Sequence, residues 1–306
     1  MSRVHSAQAF HQLWSVSKYR FLGALRPFSL VVASMSSSLG LALGWSAASS
    51  PWLLAALTLA ASLLLQAGVN LINDYGDREL VAERYGHLTP EQQHKISRSI
   101  ALNFNYGLVA IVLGVLLGLI LVFLSGPLLI WIGVIGVIGV FSYAQPPLDF
   151  KRRGLGAVAV FFLMGVLMVQ GAYYVMAGTL SWQVLWLSLP ISTLVSLLLL
   201  ANELRDYHLD QQEGQRTLAV RLGFTPVCYL YRFLMALAFL LPLLFFLLGW
   251  GWPQLLPWLA LPLALRPLQL LKADAQARLA LPPLTGRLMA GFGLLQLVGW
   301  LLIGGQ

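Results

Sequence analysis

Asn70-Leu71-Ile72-Asn73-Asp74-Tyr75-Gly76-Asp77 closes an apolar stretch near residues 52–72, and Asn202-Glu203-Leu204-Arg205-Asp206-Tyr207-His208-Leu209-Asp210 closes another near 182–201. Each reads Asn-x-x-x-Asp-Tyr with a further Asp three or four residues on. On a helix, these offsets put the Asn and both Asp side chains on one face. Oxygen ligands gathered twice at the ends of apolar segments suggest a bound divalent metal, and the metal suggests a phosphate-bearing substrate. A single Asp pair at a membrane edge also suits a solvated loop end. Recurrence with the same Asn and Tyr favours a site.

The surrounding chain fixes the setting. Of its 306 residues 58% are hydrophobic and only 10% are charged, against about a quarter charged in soluble proteins. Apolar stretches near bilayer-spanning length, about 20 residues, lie at about 23–45, 52–72, 102–123, 127–144, 156–178, 182–201, 226–249, 252–271 and 284–303. The expected fold is all-α: a polytopic membrane protein with nine transmembrane helices. Residues 21–306 form one membrane domain. Residues 1–20, mixed and polar, read as an interfacial segment rather than a cleavable signal peptide.

Charge tests the count. With nine alternating spans, the segments 46–51, 124–126, 179–181 and 249–252 share one side, and none contains Lys or Arg. All 19 Lys and Arg fall on the other side or at adjacent span ends, so that side is cytoplasmic. The N-terminus is then inside and the C-terminus outside. Trp45, Trp52, Trp182, Trp250, Trp252 and Trp300 mark the outer interface.

The net charge of +8 is a topology signal first. It also favours anionic lipid and phosphorylated substrates. Basic residues confined to short membrane-proximal loops exclude a nucleic-acid surface. A single cysteine, Cys228, excludes an internal disulfide and a Cys-based metal site. No ionisable residue lies near the centre of a predicted span, which argues against an ion-relay transporter. Gly133, Gly136 and Gly139 suggest close helix approach.

Between the two phrases lies Tyr143-Ala-Gln-Pro146-Pro147-Leu-Asp-Phe-Lys151-Arg152-Arg153-Gly154-Leu-Gly156. Its cations suit a departing diphosphate, Arg by bidentate contact and Lys as a point charge. Arg216 and Arg221, beyond the second phrase, are further candidates. The positive-inside rule alone also accounts for basic residues in these loops.

In these motifs the chain resembles the UbiA superfamily of intramembrane prenyltransferases over nearly its full length. Within it, Asn70 to Asp77, Tyr143 to Gly156 and Asn202 to Gly223 are similar to the 1,4-dihydroxy-2-naphthoate polyprenyltransferase branch. Gly214-x-Arg-Thr-Leu-Ala-Val-Arg-Leu-Gly223 is the most specific stretch, and Arg26-Pro27 matches the family's N-terminal signature. Three features depart from the pattern. Ala157 stands where Asp or Glu is usual, Val81 stands where another Asp is common, and the segment 78–87 is abbreviated.

The resemblance implies an enzyme whose Asp74, Asp77, Asp206 and Asp210 are catalytic. With Asn70 and Asn202 these would hold Mg²⁺. Asn70, Asn73, Asn202, Tyr143, Lys151, Arg153, Arg205 and Arg216 would bind substrate. The reaction it implies transfers a polyprenyl group from a polyprenyl diphosphate to an aromatic acceptor, with decarboxylation if that acceptor is dihydroxynaphthoate. Menaquinone biosynthesis in a bacterial inner membrane follows, with the site facing the cytoplasm. Another phenolic or quinone precursor, a transporter, and a catalytically silent homologue are the alternatives.

Overall fold

The computed structural model describes residues 18–78, 81–86, 88–144 and 147–304. The predicted interfacial segment 1–20 therefore lies almost wholly outside the described residues. Among the described residues every regular element is helical: α1 (Pro27–Leu43), α2 (Pro51–Asn73), α3 (Pro90–Ser125), α4 (Leu128–Ala144), α5 (Gly156–Ala177), α6 (Trp182–Gln212), α7 (Leu218–Leu222), α8 (Phe224–Leu247), α9 (Leu261–Leu270) and α10 (Leu281–Gly304). Among the described residues six helical segments are long and apolar enough to cross a membrane: α2, α3, α5, α6, α8 and Ala277–Leu302, which holds most of α10. Helices α1 and α4 are apolar but shorter.

The eighth apolar stretch is not one uniform helix. It divides into a 3₁₀ stretch, Trp252–Ala260, followed by α9. Pro253, Pro257, Pro262 and Pro267 remove four backbone donors along it. Two other helices exceed their apolar stretches. Helix α3 begins at Pro90 rather than near 102, and α6 runs to Gln212 rather than ending near 201. Local chemistry explains the early start of α3. Thr89 Oγ1 accepts from the Gln92 N–H (3.3 Å) and Gln92 Oε1 accepts from the Thr89 N–H (3.0 Å), a reciprocal capping box. Pro90 then occupies the first helical position, where its missing donor costs nothing.

The chain forms two compact units. The first comprises the chain up to Leu30 together with Ala60–Leu117. Its small core joins Tyr19, Val81, Tyr85, Ile96 and Ile100. Tyr19 meets Tyr85 edge-on at 6.1 Å, and Asn103 Nδ2 donates to the Tyr19 carbonyl at 2.9 Å. Helices α2 and α3 cross glycine on glycine. A Cβ on Gly68 would stand 2.9 Å from the Gly107 carbonyl oxygen, and the reverse holds for Gly107.

The second unit comprises Val31–Leu59 and Gly118 onward. Helix α6 is its axis: Leu187, Ile191, Leu194, Leu197, Leu200 and Leu204 are fully buried. Its hydroxyls are satisfied within the fold. Ser192 donates to the Ser188 carbonyl (2.8 Å), Thr193 to Leu189 (2.8 Å), and Ser196 crosses to the Ala157 carbonyl of α5 (2.7 Å). Pro190 interrupts the backbone ladder, and nearby Gln296 Nε2 donates to the Leu187 carbonyl at 3.0 Å. A π-helical stretch, Phe161–Leu167, widens α5. There Gly165 lies directly against Ser192, where any Cβ would overlap its side chain. Of the predicted glycine contacts in α4, Gly139 meets Leu163 of α5, whereas Gly133 and Gly136 face open space.

Gly40 of α1 sits so close to α5 that a Cβ would collide with the Val169 carbonyl oxygen and lie 2.8 Å from Ala172 Cβ. Gly40→Val is expected to lower unfolding stability in detergent by about 1–3 kcal/mol, as overpacking does. Gly133→Ala, in open space, is expected to stay within about 0.5 kcal/mol. Thermal unfolding of both variants checks the pair; equal melting temperatures would refute the close approach.

Candidate active site

The first phrase does not continue as a helix. Helix α2 stops at Asn73, Asp74 stands in a turn, and Tyr75–Arg78 form a single 3₁₀ turn. The expectation that Asn70, Asp74 and Asp77 share one helical face is therefore corrected: only Asn70 is on α2. Asn, Asp and Gly are poor helix formers, and Asn73-Asp74-x-Gly76 places all three at the end of the apolar run. Asp77 belongs to the 3₁₀ turn, and its side chain lies outside the described residues.

Asn70 is buried and tied to the start of the chain. Its Nδ2 donates to the Leu25 carbonyl (2.8 Å) and Ser29 Oγ (2.7 Å), and its Oδ1 accepts from Gln66 (3.3 Å). Asp74, 4% exposed, is flanked by cations. Arg26 Nη2 donates to Oδ1 at 2.8 Å, and Lys18 Nζ stands 3.6 Å from the same oxygen. Asp74 Oδ2 is buried with no hydrogen-bond partner among the described residues. Asn73, its amide turned to suit the network, accepts from both terminal nitrogens of Arg26 at 3.1 Å. Arg26 itself holds a positive φ of 49° immediately before Pro27. That conformation is uncommon for a non-glycine residue and costs on the order of 1 kcal/mol or more. In the sequence Arg26 is marked only by the Arg26-Pro27 signature.

The second phrase remains helical because α6 continues through it. Asn202 Nδ2 bonds back to the Leu198 carbonyl at 2.9 Å. Arg205 wraps around its neighbour Asp206 and donates to both oxygens, Nε to Oδ1 at 2.7 Å and Nη2 to Oδ2 at 2.6 Å. Asp210 Oδ2 accepts from Thr217 Oγ1 at 3.3 Å, and the Asp210 carbonyl accepts from the Gln215 N–H at 2.8 Å. These bonds fold the chain after α6 back onto it, through Gly214 at φ 65°.

One acidic residue of the phrase had no assigned role. Glu203 is 5% exposed between the fully buried Leu200 and Leu204. Its Oε2 accepts from the Ala219 N–H of α7 at 2.9 Å. It anchors the segment that carries Arg216 and Thr217 to the core of the unit. The signal was present in the sequence: Glu203 follows Asn202 directly and falls off the Asn202–Asp206–Asp210 face, toward the leucines.

The segment before α5 is a compact turn. Lys151 N donates to the Tyr143 carbonyl (2.9 Å), and Leu155 N donates to the Phe150 carbonyl (2.8 Å). Asp149 takes φ 39° and Gly154 φ 74°. The Tyr143 ring lies beside Gly156, within 3.5 Å of a Cβ built there. The predicted cations part company. Lys151 lies within electrostatic reach of Asp210 and Glu203. Arg153 and Arg216 instead line a separate open cavity of about 430 Å³ with Pro147, Asp149, Arg152, Gly214 and Arg221.

Free oxygens decide which residues could hold a metal. The buried, unpartnered Asp74 Oδ2 is what a hard cation takes, whereas both Asp206 oxygens already receive Arg205. Among the described residues no three His, Cys, Asp or Glu side chains converge. Mg²⁺ needs only one or two carboxylates and fills its octahedron with water and phosphate oxygens, so this donor set fits.

The Glu203 anchor is testable. Glu203→Leu leaves the buried Ala219 N–H without an acceptor, an expected loss of roughly 1–3 kcal/mol. Amide hydrogen exchange across 215–221 should quicken in that variant and stay near wild type in Glu203→Gln, which keeps an acceptor. Unchanged exchange in Glu203→Leu would refute the anchor.

Residues 33–281 match the UbiA prenyltransferase family. The chain is 34% identical over 190 residues to the 1,4-dihydroxy-2-naphthoate octaprenyltransferase of Mycobacterium leprae, covering 61% of this chain and 64% of that protein. It thus spans just under two thirds of that relative's length. It is also 34% identical over 223 residues to the enzyme of the same name from Mycobacterium tuberculosis, covering 70% of this chain and 73% of that one. The fold is similar to that of a UbiA homologue from Archaeoglobus fulgidus solved with GPP and Mg²⁺, with TM-score 0.58 at 14% identity, covering 91% of this chain and 99% of the other. With its apolar helices and its paired Asn/Asp phrases, the chain belongs to the UbiA prenyltransferase family as a multi-pass membrane protein.

Proposed function

We propose that this protein transfers a polyprenyl group from a polyprenyl diphosphate to 1,4-dihydroxy-2-naphthoate, with loss of carbon dioxide, in menaquinone biosynthesis. The observation that carries the reading is Asp74, a carboxylate buried at the end of an apolar helix with one oxygen held by Arg26 and the other unpartnered. The names of the mycobacterial relatives support the acceptor. The proposed Mg²⁺ ligands are Asn70, Asp74, Asp77, Asn202, Asp206 and Asp210, each Asp206 oxygen keeping a lone pair beyond its Arg205 bond. When bound, Mg²⁺ would offset the negative charge developing on the departing diphosphate.

The chain's own residues do the rest of the work. Arg26 and Lys18 orient Asp74. Lys151 adds a point charge near Asp210. Arg205 fixes the Asp206 carboxylate in one orientation through two bonds, and Thr217 does the same for one oxygen of Asp210. Asn73 and Tyr143 are proposed contacts to substrate. The allylic carbon–oxygen bond breaks, diphosphate leaves with the electron pair, and the ring carbon bearing the carboxylate forms the new carbon–carbon bond. Loss of carbon dioxide returns the electrons to the ring, so no external oxidant or proton is needed.

We further infer nine crossings, with the N-terminus and both phrases on the cytoplasmic side of a bacterial inner membrane. The Lys- and Arg-free segments at 46–51, 124–126, 179–181 and 249–252 support this. In a Cys228→Ser background, Ser49→Cys is expected to react with an impermeant thiol reagent in intact cells. Asp149→Cys is expected to react only after permeabilisation. The reverse pattern would overturn the orientation.

The activity test supplies purified protein with a polyprenyl diphosphate and, in parallel, 1,4-dihydroxy-2-naphthoate, 4-hydroxybenzoate or homogentisate. Product is expected from the naphthoate alone, to vanish with EDTA, and to fall roughly 100-fold or more in Asp74→Ala and Asp206→Ala. Product from another acceptor moves the pathway; none from any acceptor, with folded protein, overturns the reading.

A further inference from the structure

Arg153 and Arg216, which the resemblance implied as contacts to the prenyl substrate, line a separate cavity beside the second phrase. Among the described residues Arg152, Arg153, Arg216 and Arg221 line it, with Asp149 as the sole carboxylate beside Pro147 and Gly214. None of Asn202, Asp206, Asp210 and Lys151 is among its lining residues. We propose that this four-arginine cavity is a second anion site, which takes a phosphate or diphosphate group apart from the Asp206–Asp210 carboxylates.

Loop charge from the positive-inside rule explains basic residues here, but not their arrangement. Two of the four arginines are oriented by main-chain carbonyls. Arg153 Nη2 donates to Pro147 (2.8 Å), and Arg221 Nε donates to both Arg152 (2.8 Å) and Arg216 (3.1 Å). A guanidinium has five N–H donors, so these bonds fix each fork without exhausting it. The carboxylate is already committed. Asp149 Oδ1 accepts from the Arg152 N–H at 3.2 Å, and Oδ2 stands 3.6 Å from Arg152 Nε. Among the described residues Arg216 pairs with no carboxylate. Four cations face one acid, and their mutual repulsion is relieved by an anion from outside.

The wall also sets the ligand class. Its described lining carries four guanidinium groups and no aromatic side chain, so a ring finds no face to stack on. Planar guanidinium forks match the paired oxygens of a phosphate. The backbone geometry is built for close approach: Gly154 takes φ 74°, and a Cβ there would stand 2.9 Å from Arg221 Cδ. A phosphate could come from solution or from an anionic lipid headgroup, since both meet a membrane-proximal basic cavity.

The test uses the full chain in EDTA without prenyl substrate, so it does not depend on the proposed reaction. Inorganic pyrophosphate binding is measured by calorimetry in detergent. Retention of phosphatidylglycerol against phosphatidylcholine is measured by native mass spectrometry from nanodiscs. Variants are Arg152→Gln, Arg216→Gln, their double, and Asp206→Ala. Arg152 and Arg216 are exposed, and matched melting temperatures verify folding. For a site filled from solution, pyrophosphate should bind wild type and Asp206→Ala alike and weaken about tenfold or more in the double variant. For a lipid site, phosphatidylglycerol retention should be the property lost in the double variant. If the double variant retains both ligands as wild type does, or wild type binds neither, the proposal is overturned.

Discussion

Lipid offers the backbone no hydrogen bonds, so every buried N–H and C=O must be satisfied by the chain itself. In a sequence that is 58% hydrophobic, that constraint fixes helices as the elements and pushes the polar chemistry to their ends. Both Asn/Asp phrases obey it. One begins where α2 stops, and the other rides on the polar extension of α6. Even the polar residues deep in α6 comply: Ser192 and Thr193 bond back to their own helix, and Ser196 bonds to α5.

The two phrases solve the same electrostatic problem differently. Asp74 is almost fully buried and draws its counter-charge from residues distant in sequence, Arg26 and Lys18. Its surroundings accept a strained backbone at Arg26 to make that approach. Asp206 is 28% exposed and takes its cation from the next residue along the helix. A carboxylate with one bare oxygen and a carboxylate gripped at both are different partners for a cation, although the sequence writes them identically.

Much of this was legible beforehand. Apolar length and the one-sided distribution of Lys and Arg marked a helical membrane protein, and the repeated phrase marked the polar centres. The rest depends on contacts that spacing does not encode. Regular offsets put Asp77 on a helix, but Asn73-Asp74-x-Gly76 ends that helix first. Glu203 carries no reading in the spacing of the phrase, yet its position toward Leu200 and Leu204 makes it an anchor for α7. Lys151 and Arg153 are two residues apart, and the turn between Asp149 and Gly154 directs them to different neighbours. The prolines of 252–271 were visible, but hydropathy averages over them and returned a single span.

The crossing of α2 and α3 at Gly68 and Gly107 has a consequence for heredity. Each glycine faces the other's carbonyl oxygen so closely that a side chain at either position forces the helices to shift. A map of loss-of-function alleles would mark these two codons although neither carries a side chain. Intolerance there would report the spacing of two helix axes, not chemistry. Lineages could drift at most lipid-facing positions of α3 while this one contact stayed frozen.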